Sequence, residues 1–247
     1  MNIIATKTKD EMASVAAGIF ATQIAEKPDS VLGLATGETP REMYGELIKL
    51  YEAGAISFKD IVSFNLDEYI GLAPEHDQSY RYYMNDALFN HIDIDKAHTH
   101  VPDGMADDLE AEGRAYDDQI RDAGGIDMQL LGIGVNGHIA FNEPGTDFAS
   151  GTHPVDLTPS TIAVNSQYFA TPQEMPTTAL TMGLASIMGA KKIVLIASGP
   201  SKAEILDEAL FGPVTPEVPA SILQQHPDVT VIADEEALRV IHEKDRL

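Results

Sequence analysis

His138 and Glu143 stand five residues apart in Gly134-Val135-Asn136-Gly137-His138-Ile139-Ala140-Phe141-Asn142-Glu143-Pro144-Gly145. An imidazole can take or give a proton near neutrality, and a nearby carboxylate can orient or protonate it. A lone pair of this kind is more often structural, but a glycine-rich loop at the end of a buried strand is where sites are built. Asp67-Glu68-Tyr69 follows a second apolar run, and adjacent residues on extended chain point to opposite sides, so one of the two carboxylates can face a pocket. For an arbitrary Asp-Glu pair a solvated loop is the commoner outcome.

Two more segments suit anion binding. Thr36-Gly37-Glu38-Thr39-Pro40 reads as a turn into a helix, with Thr39 as N-cap and Pro40 at the first helical position. Gly199-Pro200-Ser201-Lys202 reads the same way, with Ser201 as cap and Lys202 in the first turn. Exposed N–H groups at Thr36, Gly37, Glu38 and Thr39 would cradle a phosphate. Lys202 opposes the helix dipole unless it is solvated or a bound anion compensates it. Each turn alone is an ordinary strand-to-helix connection.

The elements that position these residues alternate. Strands are expected at Asn2–Thr6, Val31–Thr36, Ile61–Leu66, Met128–Ile133, Lys192–Ser198 and Val229–Ala233. Helices are expected at 9–26, 40–53, 80–89, 106–123, 201–211 and 235–242. This order predicts an α/β fold, a mainly parallel sheet covered by helices on both faces, with ligands beyond the carboxyl ends of the strands. No repeat or linker divides the chain, so residues 1–247 read as one domain.

Composition sets the outer bounds. Of 247 residues, 44% are hydrophobic and 22% charged, as in ordinary globular proteins. With 16 Lys and Arg against 39 Asp and Glu, the formal charge of −23 argues against nucleic acid and anionic membrane partners. A small anion can still bind locally. There is no cysteine, which removes disulfides, thiolate metal sites and a thiol nucleophile. The N-terminus shows no secretory pattern and no window is apolar enough to span a bilayer, so the expected location is cytoplasmic.

Phe64-Asn65-Leu66-Asp67-Glu68-Tyr69 followed by Gly137-His138-Ile139-Ala140-Phe141-Asn142-Glu143-Pro144-Gly145 resembles the glucosamine-6-phosphate deaminase family. The likeness continues through Thr36–Pro40, Val62–Leu72, Asn165-Ser166 and Gly199–Lys202 in the family's order. It implies a three-layer Rossmann-like domain that converts glucosamine 6-phosphate and water to fructose 6-phosphate and ammonia in amino-sugar catabolism. By that resemblance Asp67 is the base moving a proton between sugar carbons 2 and 1. His138 assists ring opening with Glu143 held against it, and Thr36, Gly37, Glu38, Thr39 and Lys202 bind the phosphate. Asn136 stands where members carry Asp or Asn, so with Asn the imidazole depends on Glu143 for an anionic partner. No cofactor or metal is implied, and His98-Thr99-His100 supplies two imidazoles, too few for a metal site.

Two departures matter. Gln167 stands where many members carry a phosphate-gripping Arg, which shifts the phosphate onto Lys202 and the Thr36–Thr39 amides unless the loop has turned Gln167 to solvent. Gly151-Thr152-His153-Pro154 lacks the basic residues associated with the effector N-acetylglucosamine 6-phosphate, so no activation is expected. Two rival readings remain: a 6-phosphogluconolactonase on the same fold, and a sugar-phosphate sensor domain. Against the sensor, a strand starting at Asn2 leaves no room for a preceding DNA-binding unit. Monomer and homo-oligomer are equally compatible with the sequence.

Overall fold

The computed structural model describes residues 1–247, the Pro172 side chain excepted. In chain order the elements are β1 (Asn2–Thr6), α1 (Lys9–Glu26), β2 (Val31–Leu34), α2 (Glu38–Glu52), β3 (Val62–Asn65), β4 (Asp67–Tyr69), α3 (Tyr80–Ala87), β5 (Thr99–His100) and α4 (Leu109–Asp122). There follow β6 (Met128–Leu131), β7 (His153–Asp156), α5 (Pro159–Asn165), β8 (Thr178–Thr181), α6 (Leu184–Met188), β9 (Ile193–Ala197), α7 (Ala203–Phe211), β10 (Val229–Asp234) and α8 (Arg239–Glu243).

Seven strands form one parallel sheet in the order β1-β10-β9-β6-β2-β3-β5, with helices flanking it. β2, β6 and β9 are buried along their whole length, which explains their mainly apolar sequences. The polar exception, Gln129 in β6, donates its amide to the Leu130 carbonyl at 2.8 Å. The chain runs from β2 outward through β3 to β5, then returns to place β6 on the other side of β2. The strand order therefore reverses between β2 and β6, and the loops after these two strands flank the crevice where such sheets bind ligands. Asp127 fixes the entry to β6, accepting the Val31 N–H at 2.8 Å and pairing with Lys27 at 2.9 Å and Lys191 at 2.7 Å.

Helix starts are fixed by side-chain caps. Thr8 accepts the Glu11 N–H at 3.1 Å, Ser79 that of Tyr82 at 3.0 Å, and Asp108 that of Ala111 at 2.9 Å. Asp108 as cap places the start of α4 at Leu109, later than the expected residue 106. The last helix is also shorter than expected, beginning at Arg239 after a run of turns.

A second, antiparallel sheet, β4-β8-β7, goes beyond the elements expected from the sequence. Leu66 is its hinge with the main sheet. Its N–H reaches the Leu34 carbonyl of β2 at 3.2 Å, while its own carbonyl accepts the Met182 N–H at 2.7 Å. β4 thereby leaves the parallel sheet one residue after β3 and carries Asp67 to the carboxyl edge.

Candidate active site

Asp67 and Glu68 point to different sides of β4, as extended geometry requires, and have different surroundings. Both are buried. The Glu68 carboxylate is consumed locally, accepting the N–H groups of Tyr69 at 2.8 Å, Tyr80 at 2.9 Å and Arg81 at 2.9 Å. It thus ties β4 to the first turn of α3. Asp67 has no comparable set of donors. Burial pushes its carboxyl up to about 8, and the neighbouring Glu68 charge adds to the shift. A carboxyl so tuned is a proton acceptor matched to mildly alkaline solution.

The loop after β6 is brought to the same place through β8. Asp67 is paired with Thr181 across the antiparallel ladder, and directly paired residues project to one face. The Thr181 hydroxyl accepts the Phe141 N–H at 3.1 Å, and the Asn142 amide donates to the Met182 carbonyl at 2.9 Å. The His138–Glu143 loop is therefore fastened to the strand that faces Asp67.

Within this loop, Asn136 Nδ2 donates to Glu143 Oε2 at 2.6 Å, and Asn136 Oδ1 accepts the His138 N–H at 3.2 Å. His138 Nδ1 lies 3.4 Å from Glu143 Oε2, within ion-pair distance but without hydrogen-bond alignment. A small movement of either side chain would complete the bond, as is common before substrate tightens a site. Burial alone would raise the Glu143 carboxyl, but the adjoining imidazole, the Thr161 hydroxyl and the Asn136 amide together hold it down at about 2. Gly134 is needed because a Cβ there would overlap the His138 ring. Gly137 and Ala140 adopt positive φ, 86° and 53°, and for Ala140 that conformation is a local strain held by the surrounding bonds.

Both strand-to-helix turns are present, with different caps from those the sequence suggested. α2 begins at Glu38, so Gly37 is its N-cap, at a φ of 118° that disfavours side chains, while Thr39 and Pro40 lie inside the first turn. The α2 N-cap makes no side-chain hydrogen bond, which leaves its N–H donors without the cap expected from Thr39. Tyr44 steadies the strand end by bonding both the N–H and the carbonyl of Ala35, at 3.1 and 2.5 Å. In the second turn, Pro200–Lys202 form a 3-10 turn, and Lys202, not Ser201, occupies the N-cap of α7. Its ammonium donates to the Ile133 carbonyl at 2.7 Å, beside the His138 loop. Burial lowers the Lys202 ammonium with no carboxylate to offset it, which suits a cation prepared for an anionic ligand.

Two hydroxyls in this region, those of Thr158 and Thr161, were not among the expected site residues. Thr158 and Thr161 both reach Glu143 Oε1, at 3.1 and 2.7 Å. Thr158-Pro159 is a helix-start signature that could have revealed α5. Asn165 donates to the Tyr69 hydroxyl at 3.0 Å, joining α5 to β4. Gln167, by contrast, is exposed and donates back to the Val164 carbonyl at 2.8 Å. The His98-Thr99-His100 stretch is used structurally at its last imidazole, which stacks on Phe64 with ring centroids 4.6 Å apart.

Comparison with known proteins follows the same line. The family described as glucosamine-6-phosphate isomerases and 6-phosphogluconolactonases matches residues 5–232. A glucosamine-6-phosphate deaminase of Thermoanaerobacter pseudethanolicus is 53% identical over 245 residues, covering 99% of this chain and 97% of its own. One from Clostridium perfringens is 53% identical over 241 residues, covering 98% and 100%. A solved structure of a monomeric glucosamine-6-phosphate deaminase superposes with a TM-score of 0.95 at 48% identity, covering 97% of this chain and all of that one. A 6-phosphogluconolactonase from Trypanosoma cruzi, at TM-score 0.77 and 20% identity over 96% of each chain, shares the fold alone. With the family matched over almost its whole length and relatives above half identity end to end, the chain belongs to the glucosamine-6-phosphate isomerase and 6-phosphogluconolactonase family.

Proposed function

We propose that this protein is an isomerising deaminase that converts glucosamine 6-phosphate and water to fructose 6-phosphate and ammonia. The observation that carries the reading is the buried Asp67 carboxyl, raised to about 8 and paired across the ladder with Thr181, whose hydroxyl fastens the His138–Glu143 loop at Phe141. Removing a proton from carbon 2 of an open-chain aldose needs a positioned base of raised proton affinity, and Asp67 supplies one. Hydrolysis of a lactone needs an activated water and no carbon acid, so it leaves this feature without a purpose.

The steps follow from the groups available. His138, oriented by Glu143 and Asn136, moves the proton of the anomeric hydroxyl to the ring oxygen as the pyranose opens. Asp67 then takes the carbon 2 proton, giving an enolamine, and returns a proton to carbon 1, giving a protonated imine at carbon 2. Water adds to that imine, and ammonia leaves the carbinolamine to yield the ketone. The phosphate rests on Lys202 and the N–H groups at Thr36, Gly37, Glu38 and Thr39, remote from the reacting carbons. Residues 1–247 act as one domain, and a cytoplasmic location suits a phosphorylated sugar, whose charge keeps it from crossing a bilayer unaided. The charge of −23 disfavours a nucleic acid partner.

Side-by-side assays decide the matter. Ammonia release from glucosamine 6-phosphate without hydrolysis of 6-phosphogluconolactone is expected. Lactone hydrolysis without ammonia release would replace this reading with the lactonase, and neither activity would favour a sensor.

A further inference from the structure

Glu143 has two oxygens with separate environments. Oε2 faces Asn136 at 2.6 Å and His138 at 3.4 Å, while Oε1 is turned toward α5, where Thr161 donates at 2.7 Å and Thr158 approaches to 3.1 Å. The carboxylate is thus clamped from the side away from the imidazole. Thr161 is buried and lies near the start of α5, whose other end is anchored to β4 by the bond from Asn165 to Tyr69.

The Thr158 hydroxyl has one proton and several neighbours. It lies 3.0 Å from Thr161 Oγ1 and 3.0 Å from Ser160 Oγ, and it also accepts the Thr161 N–H as the N-cap of α5. Thr161 makes the shorter bond to Glu143 and is the more direct donor, with Thr158 acting on Glu143 or backing Thr161. Neither hydroxyl touches the His138 ring or the strand that carries Asp67 in any bond above.

We propose that Thr161, supported by Thr158, is a positioning residue for catalysis: it fixes Glu143 Oε1 so that Oε2 holds the imidazole of His138 in its working orientation. The inference rests on the deaminase reading, in which His138 and Glu143 open the sugar ring. Asn136 is neutral, so Glu143 is the only carboxylate within ion-pair distance of the His138 ring among the described residues. A carboxylate free to rotate about its terminal torsion would orient the ring poorly, and a second-side hydrogen bond removes that freedom. Thr161 supplies the bond from a helix outside the His138 loop, so the geometry of ring opening depends on how α5 is seated.

The test compares Thr161→Val, Thr161→Ala and Thr161→Ser in the full chain. Val keeps the shape and removes the hydroxyl, Ala guards against a Val variant that fails to fold, and Ser restores the donor. Thermal melting accompanies steady-state kinetics with glucosamine 6-phosphate and binding of its reduced open-chain alditol phosphate. Expected are a kcat lowered about tenfold in Val and Ala, comparable to losing one oriented hydrogen bond, with KM and alditol binding within about twofold. Ser should restore kcat to within roughly threefold of the parent. An unchanged kcat in folded Val or Ala variants overturns the inference, as does a loss shared by Ser or a loss that tracks melting temperature alone. A parent protein that releases no ammonia would defeat the deaminase reading instead, so the two failures are distinguishable.

Discussion

Because burial holds the Asp67 carboxyl at about 8, with the Glu68 charge contributing, most of the free protein carries it protonated at neutral pH. If Asp67 is the enolising base, kcat/KM rises through that pH and levels above it. A profile from pH 6 to 9.5 that is flat below 8 contradicts the assignment. The same shift affects stability. An unfolded Asp titrates at about 3.9, so between roughly pH 4 and 8 unfolding releases a proton, and stability falls as pH rises through that window. Asp67→Asn should remove this slope and melt above the parent protein at pH 8, by roughly 2–4 °C for each kcal/mol recovered. At the proposed phosphate site, Lys202 should matter and Gln167 should not. A charge-assisted bond contributes about 1.5–3 kcal/mol, so Lys202→Ala should raise KM roughly 10–100-fold. Gln167 is exposed and bonded to Val164, so Gln167→Ala should leave KM unchanged. Steady-state kinetics on the two variants checks both.

At the scale of elements, the site depends on close backbone approaches. A Cβ at Gly134 would meet the His138 ring, so Gly134→Ala should lower kcat by roughly tenfold or more through misorientation, with a smaller effect on melting. Equal losses of activity and stability would mean that the glycine serves only packing. Six of the seven parallel strands were legible from the sequence because their runs are mainly apolar, Gln129 in β6 being a polar interruption. β5, two residues long at Thr99–His100, was not; α1 was readable from Lys9 to Glu26. The antiparallel sheet was not. β4 has three residues, β7 contains Pro154, and β8 is half threonine, so none shows a usable period. The caps at Thr39 and Ser201 failed for a local reason: glycine at positive φ, Gly37 and Gly199, starts each turn earlier than the hydroxyl residue does. The split between Asp67 and Glu68 was readable from strand geometry, but the helix that Glu68 ties down lies twelve residues away. The roles assigned to Asp67 and His138 came from the family resemblance, since spacing alone offers only acid, base and imidazole.

Across the whole molecule, charge distribution bears on regulation. The Gly151–Pro154 segment carries no Lys or Arg, and Asp117 lies against it, accepting the Thr152 N–H at 2.8 Å and hydroxyl at 2.6 Å and the Ser186 hydroxyl at 2.7 Å. A carboxylate in that place repels a phosphorylated effector. Hyperbolic kinetics, unchanged by N-acetylglucosamine 6-phosphate, are therefore expected, with no coupling free energy between sites. A sigmoidal substrate curve that this compound makes hyperbolic would contradict the expectation.

The most direct measurement is solvent-deuterium exchange at carbon 2 of glucosamine 6-phosphate, followed by NMR in deuterium oxide for the parent protein and Asp67→Asn. An amide keeps the shape of the carboxyl but cannot accept the proton. The account predicts exchange together with ammonia release in the parent, and loss of both in Asp67→Asn while affinity for the open-chain alditol phosphate stays within a few-fold. Exchange that persists at the parent rate in Asp67→Asn would contradict it.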